Sequence, residues 1–348
     1  MPKIFKKLFG ILASILGLTI FLVLIGFALI LYFNSAPPLA ENNEMSQNTV
    51  RFEVRKGESA RSVGKRLSDT GVIRSLYFWQ LLCRYENKTI KSGIYLIDLP
   101  ASQISIYRLL ESGKQMLFRV TVPEGFTIRK TASLMEEAEI CSAEDFMNAV
   151  SETEILDFYK IPGKNMEGYL YPDTYFFPSD YPAEKVVKAM ADNFFIRLAD
   201  IDETAVLKNP DDLNRLVILA SVIEREYRIA EEAPLMAGVF FNRLNIGRAL
   251  QSCATIVYII TEIQDKPHPE FLTAKDLEIR DPYNTYLRPG LPPGPICSPG
   301  AIALRSAIFP EKNNFMYFRL TDQDSGRHYF SRTLDDHIRA GALYLKGN

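Results

Sequence analysis

Leu213-Asn-Arg-Leu-Val-Ile-Leu-Ala-Ser-Val-Ile-Glu-Arg-Glu-Tyr227 is apolar on nearly every face of a helix, and it follows Asn209-Pro-Asp-Asp212, residues that start helices well. A helix of that kind has to be buried. The stretch therefore marks the centre of a globular domain, with two glutamates at its end. At about 100° per residue, Glu224 continues the stripe of Leu213, Val217 and Ala220, whereas Glu226 points about 200° away, toward the face of Arg215. A carboxylate on an apolar stripe is expensive to ionise, so burial would raise its pKa and keep a proton on it near neutral pH, as a general acid requires. The same two glutamates also fit the solvated end of a core helix, paired to Arg225 or Arg228. Periodicity alone leaves both open.

Upstream, Glu167-Gly-Tyr-Leu-Tyr-Pro172-Asp-Thr-Tyr-Phe-Phe177 is rich in aromatics. It is consistent with a core strand bearing an edge proline, and equally with a wall on which sugar rings stack. Farther back, Val54-Arg-Lys-Gly57-Glu-Ser59, followed by Val63 and Leu67, reads as a strand, a glycine turn and an amphipathic helix. A second copy stands 68 residues later as Val122-Pro-Glu-Gly125-Phe-Thr127, with Arg129 matching Arg61, Met135 matching Leu67 and Ile140 matching Val72. This V-x-x-G start resembles the LysM module, a small βααβ glycan-binding unit. Between the copies Lys91-Ser-Gly-Ile-Tyr-Leu-Ile97 alternates like a strand, and Ile104 to Ser112 has helical period. The expected class is α+β, with a LysM-like, weakly duplicated region over 51–160 and a mixed α+β domain over 161–348.

Ahead of these, Leu8 to Phe33 is a run of 26 residues without a charge, about 39 Å long as a helix and enough to cross a bilayer. It exceeds the apolar region of a signal peptide, and Asn34-Ser-Ala-Pro-Pro38 is a poor cleavage site, so a retained single-pass transmembrane helix is expected over 8–33. Lys3, Lys6 and Lys7 keep residues 1–7 in the cytoplasm and send the rest outside. Residues 34–50, polar and proline-containing, read as a linker.

The 348 residues suit about two domains, and 47% hydrophobic with 24% charged residues is ordinary for a folded protein. Net charge is −2, and without the three leading lysines −2 − 3 = −5, which argues against nucleic acid as a partner. Cys83, Cys141, Cys253 and Cys297 form no C-x-x-C pair, so neither a zinc site nor a dense disulfide scaffold is indicated, although one bridge is possible.

Downstream of the central helix lie Phe240-Phe-Asn242-Arg-Leu-Asn-Ile-Gly247-Arg-Ala-Leu250-Gln251-Ser252, Tyr283-Asn284-Thr-Tyr286 and Gly290-Leu-Pro-Pro-Gly294-Pro-Ile-Cys-Ser298-Pro-Gly300. Together with Leu219-Ala-Ser-Val-Ile-Glu-Arg-Glu226, the Glu167 segment and the ending His328-Tyr-Phe-Ser-Arg-Thr-Leu-Asp-Asp-His337, they resemble the endolytic murein transglycosylase family, the YceG-like proteins. The ordered motifs and the anchor carry the resemblance over essentially the whole chain.

The resemblance implies cleavage of the MurNAc to GlcNAc β-1,4 bond inside nascent glycan strands, without water, leaving 1,6-anhydro-MurNAc ends and terminating strand elongation. Glu224 matches the catalytic position, Glu226 its auxiliary, and neither cofactor nor metal is implied. Asn242, Gln251, Tyr283, Asn284 and Tyr286 could supply hydrogen bonds to sugars, or equally could cap helices and pack the core. The Gly290 to Gly300 stretch would be a stiff loop rimming the groove. Implied partners are peptidoglycan strands and peptidoglycan synthases, at the outer face of the cytoplasmic membrane.

One position departs from the pattern. Where the family reads L-Q-[ST]-D-P-T, this chain has Leu250-Gln-Ser-Cys253-Ala-Thr255, so an acidic residue beside the expected site is missing. The rival of a different class is a silent glycan-binding scaffold for wall synthesis. The three histidines form no H-E-x-x-H, and no serine sits in G-x-S-x-G, so metal and serine hydrolases find no support.

Overall fold

A computed structural model describes residues 2–37, 49–321 and 324–344. The chain packs as two compact units, Met1–Leu117 and Phe118–Asn348. Helices and short antiparallel strands mix in both, so the α+β class expected from the sequence is the one observed.

In the first unit, α1 (Pro2–Asn34) contains one stretch, Lys7–Asn34, with a mean hydropathy of 2.8, long and apolar enough to span a membrane. Of the expected 34–50 linker, residues 38–48 lie outside the described residues. Strand β1 (Thr49–Val54) is followed by α2 (Ala60–Asp69), α3 (Leu76–Glu86), β2 (Gly93–Asp98) and α4 (Gln103–Ser112). β1 and β2 pair antiparallel, Phe52 opposite Tyr95, and their inner face packs with Val63, Leu67, Trp79, Ile106 and Leu110. A Cβ on Gly64 would lie 2.1 Å from Trp79 Cδ1, so only glycine lets α2 approach that indole. The end of α1 is tied down: Phe33 O accepts from Gln103 Nε2 at 2.8 Å, and Ala36 O accepts from Arg74 Nη2 at 2.7 Å.

The second unit opens with β3 (Phe118–Thr121), α5 (Ile128–Glu137), α6 (Ala143–Ala149), α7 (Thr153–Tyr159) and β4 (Thr174–Phe177). Its first turns repeat those of the first unit in detail. Shifted by 68 residues, α2 superposes in sequence on α5; Gly57 and Gly125 take φ 76° and 74°, and Ser59 and Thr127 cap the two helices. Both helices end alike, with Val72 N–H donating to Leu67 O and Ile140 N–H to Met135 O, each at 2.9 Å.

The two compact units divide at Leu117, because β3 finds its antiparallel partner in β4 and Val120, Val122, Met135 and Phe146 join the second unit's core. Most of the aromatic segment is core: Tyr169, Tyr171, Tyr175 and Phe177 are buried, with Tyr169 edge-on to Phe194, while Phe176 is exposed.

Next come α8 (Ala183–Ile201), α9 (Pro210–Glu224), α10 (Ala233–Asn245), α11 (Cys253–Tyr258), α12 (Ala301–Ile308), β5 (Tyr317–Leu320), β6 (His328–Ser331) and α13 (Leu334–Tyr344). α9 is the buried centre expected from its sequence, with Asn209 as N-cap, Pro210 in the first turn and Val217 through Ile223 shielded. It is shorter than its pattern. The helix closes at Glu224, with the Arg225 N–H bonding back to Val222 and Ile223 carbonyls, so Glu226 is not on the helix and its projected 200° offset does not apply.

Candidate active site

The last turn of α9 and the loop 290–300 are laced together. Ile296 N–H donates to Ser221 Oγ at 3.0 Å, the Cys297 thiol to Ser221 O at 3.3 Å, and Gly300 N–H to Glu224 Oε2 at 2.9 Å. The same loop clasps the turn after β3, since Gly125 N–H donates to Ser298 O and Ser298 N–H to Phe126 O, at 2.9 and 2.8 Å. Arg225 Nη1 donates to Gly125 O at 3.1 Å. Three segments distant in sequence thus converge on one carboxyl group.

Burial pushes Glu224 up to about 7, helped by the charge of Glu124 and opposed by the Gly300 N–H, Tyr227 and Arg225. The Tyr227 hydroxyl stands 3.5 Å from Glu224 Oε1. A carboxyl group titrating near neutrality, with one oxygen held by a main-chain donor, can give a proton and take one back.

Glu226 faces a different group of residues. Its carboxylate accepts from Ser252 Oγ and from the Ala254 N–H, with Arg243 nearby, and burial pushes it up. It holds the segment that starts α11. Gln251 sits there in the left-handed region, φ 52°, with its N–H on Thr285 O at 3.0 Å and its side chain exposed. Tyr286 OH lies 3.0 Å from Cys253 Sγ. The Cys253 thiol is pushed up by burial and by Glu226, so it is not a poised thiolate. All four cysteines are free thiols.

The structure therefore brings Gln251, Tyr286 and Cys253 together around Glu226, and leaves other expected sugar ligands engaged elsewhere. Asn242 Nδ2 donates to Asn313 O and Phe315 O at 3.0 and 2.9 Å, fastening a loop to α10. Asn284 is fully buried, with Nδ2 on Leu277 O and Ile279 O and Oδ1 accepting from Tyr286 N–H. Tyr283 packs on Tyr258 and its hydroxyl lies beside Gly294 of the loop. Among the described residues no group of three or more His, Cys, Asp or Glu could hold a metal ion.

Glu167 is a third acid raised by burial. It caps α5, accepting from Ile128 N–H at 3.2 Å, and burial pushes it up to about 8, with Glu262 adding to the rise. Gly168 beside it has φ 85°, and a Cβ there would lie 2.5 Å from Pro295 Cβ. Glu124, Tyr227 and the Gly300 amide were not singled out from the sequence. Only the second copy's V-P-E-G turn hinted at the first of them.

A family model described as the YceG-like family matches residues 52–342, which is most of the chain. The chain belongs to the YceG-like family. It is 29% identical over 319 residues to a Bacillus subtilis protein named endolytic murein transglycosylase, the match covering 86% of each chain. A Streptococcus pneumoniae protein of the same name is 28% identical over 327 residues; the match covers 86% of this chain and 59% of that longer one. A crystal structure of a yceG-like protein from Listeria monocytogenes is similar at a TM-score of 0.57 and 28% identity, covering 84% of this chain and 99% of that one.

Proposed function

We propose that this protein is an endolytic murein transglycosylase, a lyase that cuts the MurNAc to GlcNAc β-1,4 bond of glycan strands and leaves 1,6-anhydro-MurNAc ends. One observation carries it: Glu224 ends a buried helix as a carboxyl group raised to about 7, with one oxygen fixed by Gly300 N–H. The named relatives and the family supply the reaction class.

In this mechanism protonated Glu224 gives its proton to the departing glycosidic oxygen as the bond to MurNAc C1 breaks. The carboxylate so formed takes the proton of the MurNAc 6-hydroxyl, whose oxygen closes on C1, and Glu224 returns to its starting state with no water consumed. Glu226 positions the Ser252 to Ala254 segment. Gln251 and Tyr286 bind sugar, while Asn242, Tyr283 and Asn284 hold the loops that present them.

Around that core, α1 anchors the protein in the cytoplasmic membrane with the folded units outside, in keeping with the three leading lysines and the hydropathy of Lys7–Asn34. The LysM-like region holds glycan, and peptidoglycan synthases are the partners whose strands the enzyme terminates. Digestion of purified glycan strands with the full-length protein, followed by mass spectrometry, tests the reaction. Anhydro ends lost in Glu224→Gln are expected; no such ends from the parent, or their persistence in Glu224→Gln, would overturn it. Glycan binding without product would mark a silent scaffold, the outcome that Cys253 at the family's acidic position would favour.

A further inference from the structure

We infer that Glu124 is a positioning residue for Glu224: its carboxylate, seated against Gly300, is the charge that keeps the Glu224 proton in place. This rests on the acid/base role proposed for Glu224.

Gly300 stands between the two acids. Its N–H donates to Glu224 Oε2, while the space its missing Cβ would fill is taken by Glu124, 1.9 Å from Oε1 and 2.2 Å from Cδ. The neighbouring Gly125 faces Glu224 as well, its Cβ position 3.8 Å from Glu224 Cγ. Ser298 and Arg225 fasten the backbone at Gly125 and Phe126, so the stem of Glu124 is fixed even though its side chain is exposed. Among the described residues Glu124 has no ion-pair or hydrogen-bond partner. Arg225, the nearest cation in sequence to the site, spends Nη1 on Gly125 O.

The groups facing Glu224 sort clearly by sign. Arg225 and Tyr227 from the end of α9, and Gly300 N–H from the loop, all favour the carboxylate. Buried Cys297, also from the loop, is a thiol whose own titration is pushed well up. Among these groups Glu124 supplies the one negative charge that opposes ionisation. In the mechanism above that charge serves both halves. It keeps the acid loaded at the start and makes the carboxylate a stronger base toward the 6-hydroxyl afterwards.

The duplication adds an independent observation. At the 68-residue offset the counterpart of Glu124 is Lys56, within the same V-x-x-G turn. Both turns keep their glycine at φ near 75°, so the backbone is shared while the charge is reversed. The copy that carries the acid is the one whose turn touches α9.

The test uses the full-length protein in detergent micelles and two readouts. In pH–rate profiles of anhydro-end formation, Glu124→Gln should move the alkaline limb of kcat toward acid by about half to one pH unit, with rates near pH 5 close to the parent's. Gly300→Ala keeps the amide donor and pushes the Glu124 carboxylate aside, so it should move the limb in the same direction; Glu124→Asp should restore part of it. The second readout needs no activity: the 13C-carboxyl titration of Glu224, assigned with Glu224→Gln, should fall in Glu124→Gln by the same amount. An unmoved Glu224 titration in folded Glu124→Gln overturns the inference. So does a loss of kcat equal at every pH, which would put Glu124 on the substrate itself. A parent that makes no anhydro ends, yet shows the shifted titration, would refute the transglycosylase function and leave the Glu124–Glu224 coupling standing.

Discussion

Gly300 N–H donates to Glu224 Oε2 at 2.9 Å, which leaves Oε1 as the oxygen able to carry a transferable proton. Replacing Glu224 by Gln keeps the acceptor and removes the proton chemistry. Formation of anhydro ends should drop by about 10²–10⁴-fold, the usual contribution of a general acid or base. The melting temperature at pH 8 should hold or rise, because the parent there buries a charge. A variant that melts like the parent and still cuts would remove Glu224 from the chemistry.

Glu226 behaves differently, since it serves Ser252 and Ala254. Glu226→Gln retains an acceptor and should keep most of the activity. Glu226→Leu strands a hydroxyl and an amide and should cost about 1–3 kcal/mol for each group left unpaired, with KM rising as the 251–254 segment loosens. Denaturation curves and saturation kinetics together check this. A Glu226→Gln that is folded but as inactive as Glu224→Gln would make Glu226 chemical.

Glu167 titrates near 8 in the fold against an ordinary value of 4.5. Between those values the folded protein holds a proton that the unfolded chain has released. The stability tied to Glu167 is therefore whole below about pH 4.5 and is lost as pH rises through about 8. Glu167→Gln should flatten melting temperature against pH between 5 and 8.5, gaining on the parent at the alkaline end by on the order of 3 kcal/mol. Parallel curves for the two proteins would show that Glu167 is not buried as described.

Gly168→Ala should destabilise the second unit by at least about 2 kcal/mol, since its φ is 85° and the added Cβ meets Pro295 Cβ at 2.5 Å and Val217 Cγ1 at 2.9 Å. Pro295 belongs to the loop that holds Glu224, so activity should fall beyond what unfolding explains. Chemical denaturation measures the first effect and single-turnover assays the second.

Cys253→Asp would place an acid where the resemblance to the YceG-like proteins leads one to expect it. An aspartate there can accept from Tyr286 OH, which now lies 3.0 Å from the sulfur. The rate of anhydro-end formation should increase severalfold with little change in melting temperature. An unchanged rate would mean that Tyr286 needs no acid at this position.

α9 was legible because a helix apolar on nearly every face and too short to span a membrane belongs in a core. Its end was not, since Arg225, Glu226 and Tyr227 are sound helix formers by type and the chain turns there only to bring Glu226 onto Ser252. Residues 118–160 read as a continuation of the first region, because the strand that claims β3 follows three helices later. Asn242 and Asn284 have the chemistry of sugar ligands, yet their amides are spent on backbone carbonyls, those of Asn242 on a loop far along the chain and those of Asn284 within its own loop. Glu124 was hidden for the same reason, as its contact with Glu224 passes through Gly300.

The lacing of the 290–300 loop onto both α9 and the Gly125 turn has a consequence for biosynthesis. In a chain made from its N-terminus, Glu224 emerges well before Gly300. Until then the glutamate is an ordinary ionised side chain with no proton to give. The surroundings that raise Glu224 are therefore completed late, with the segment ending at Gly300, and a chain stalled or clipped before that point lacks them.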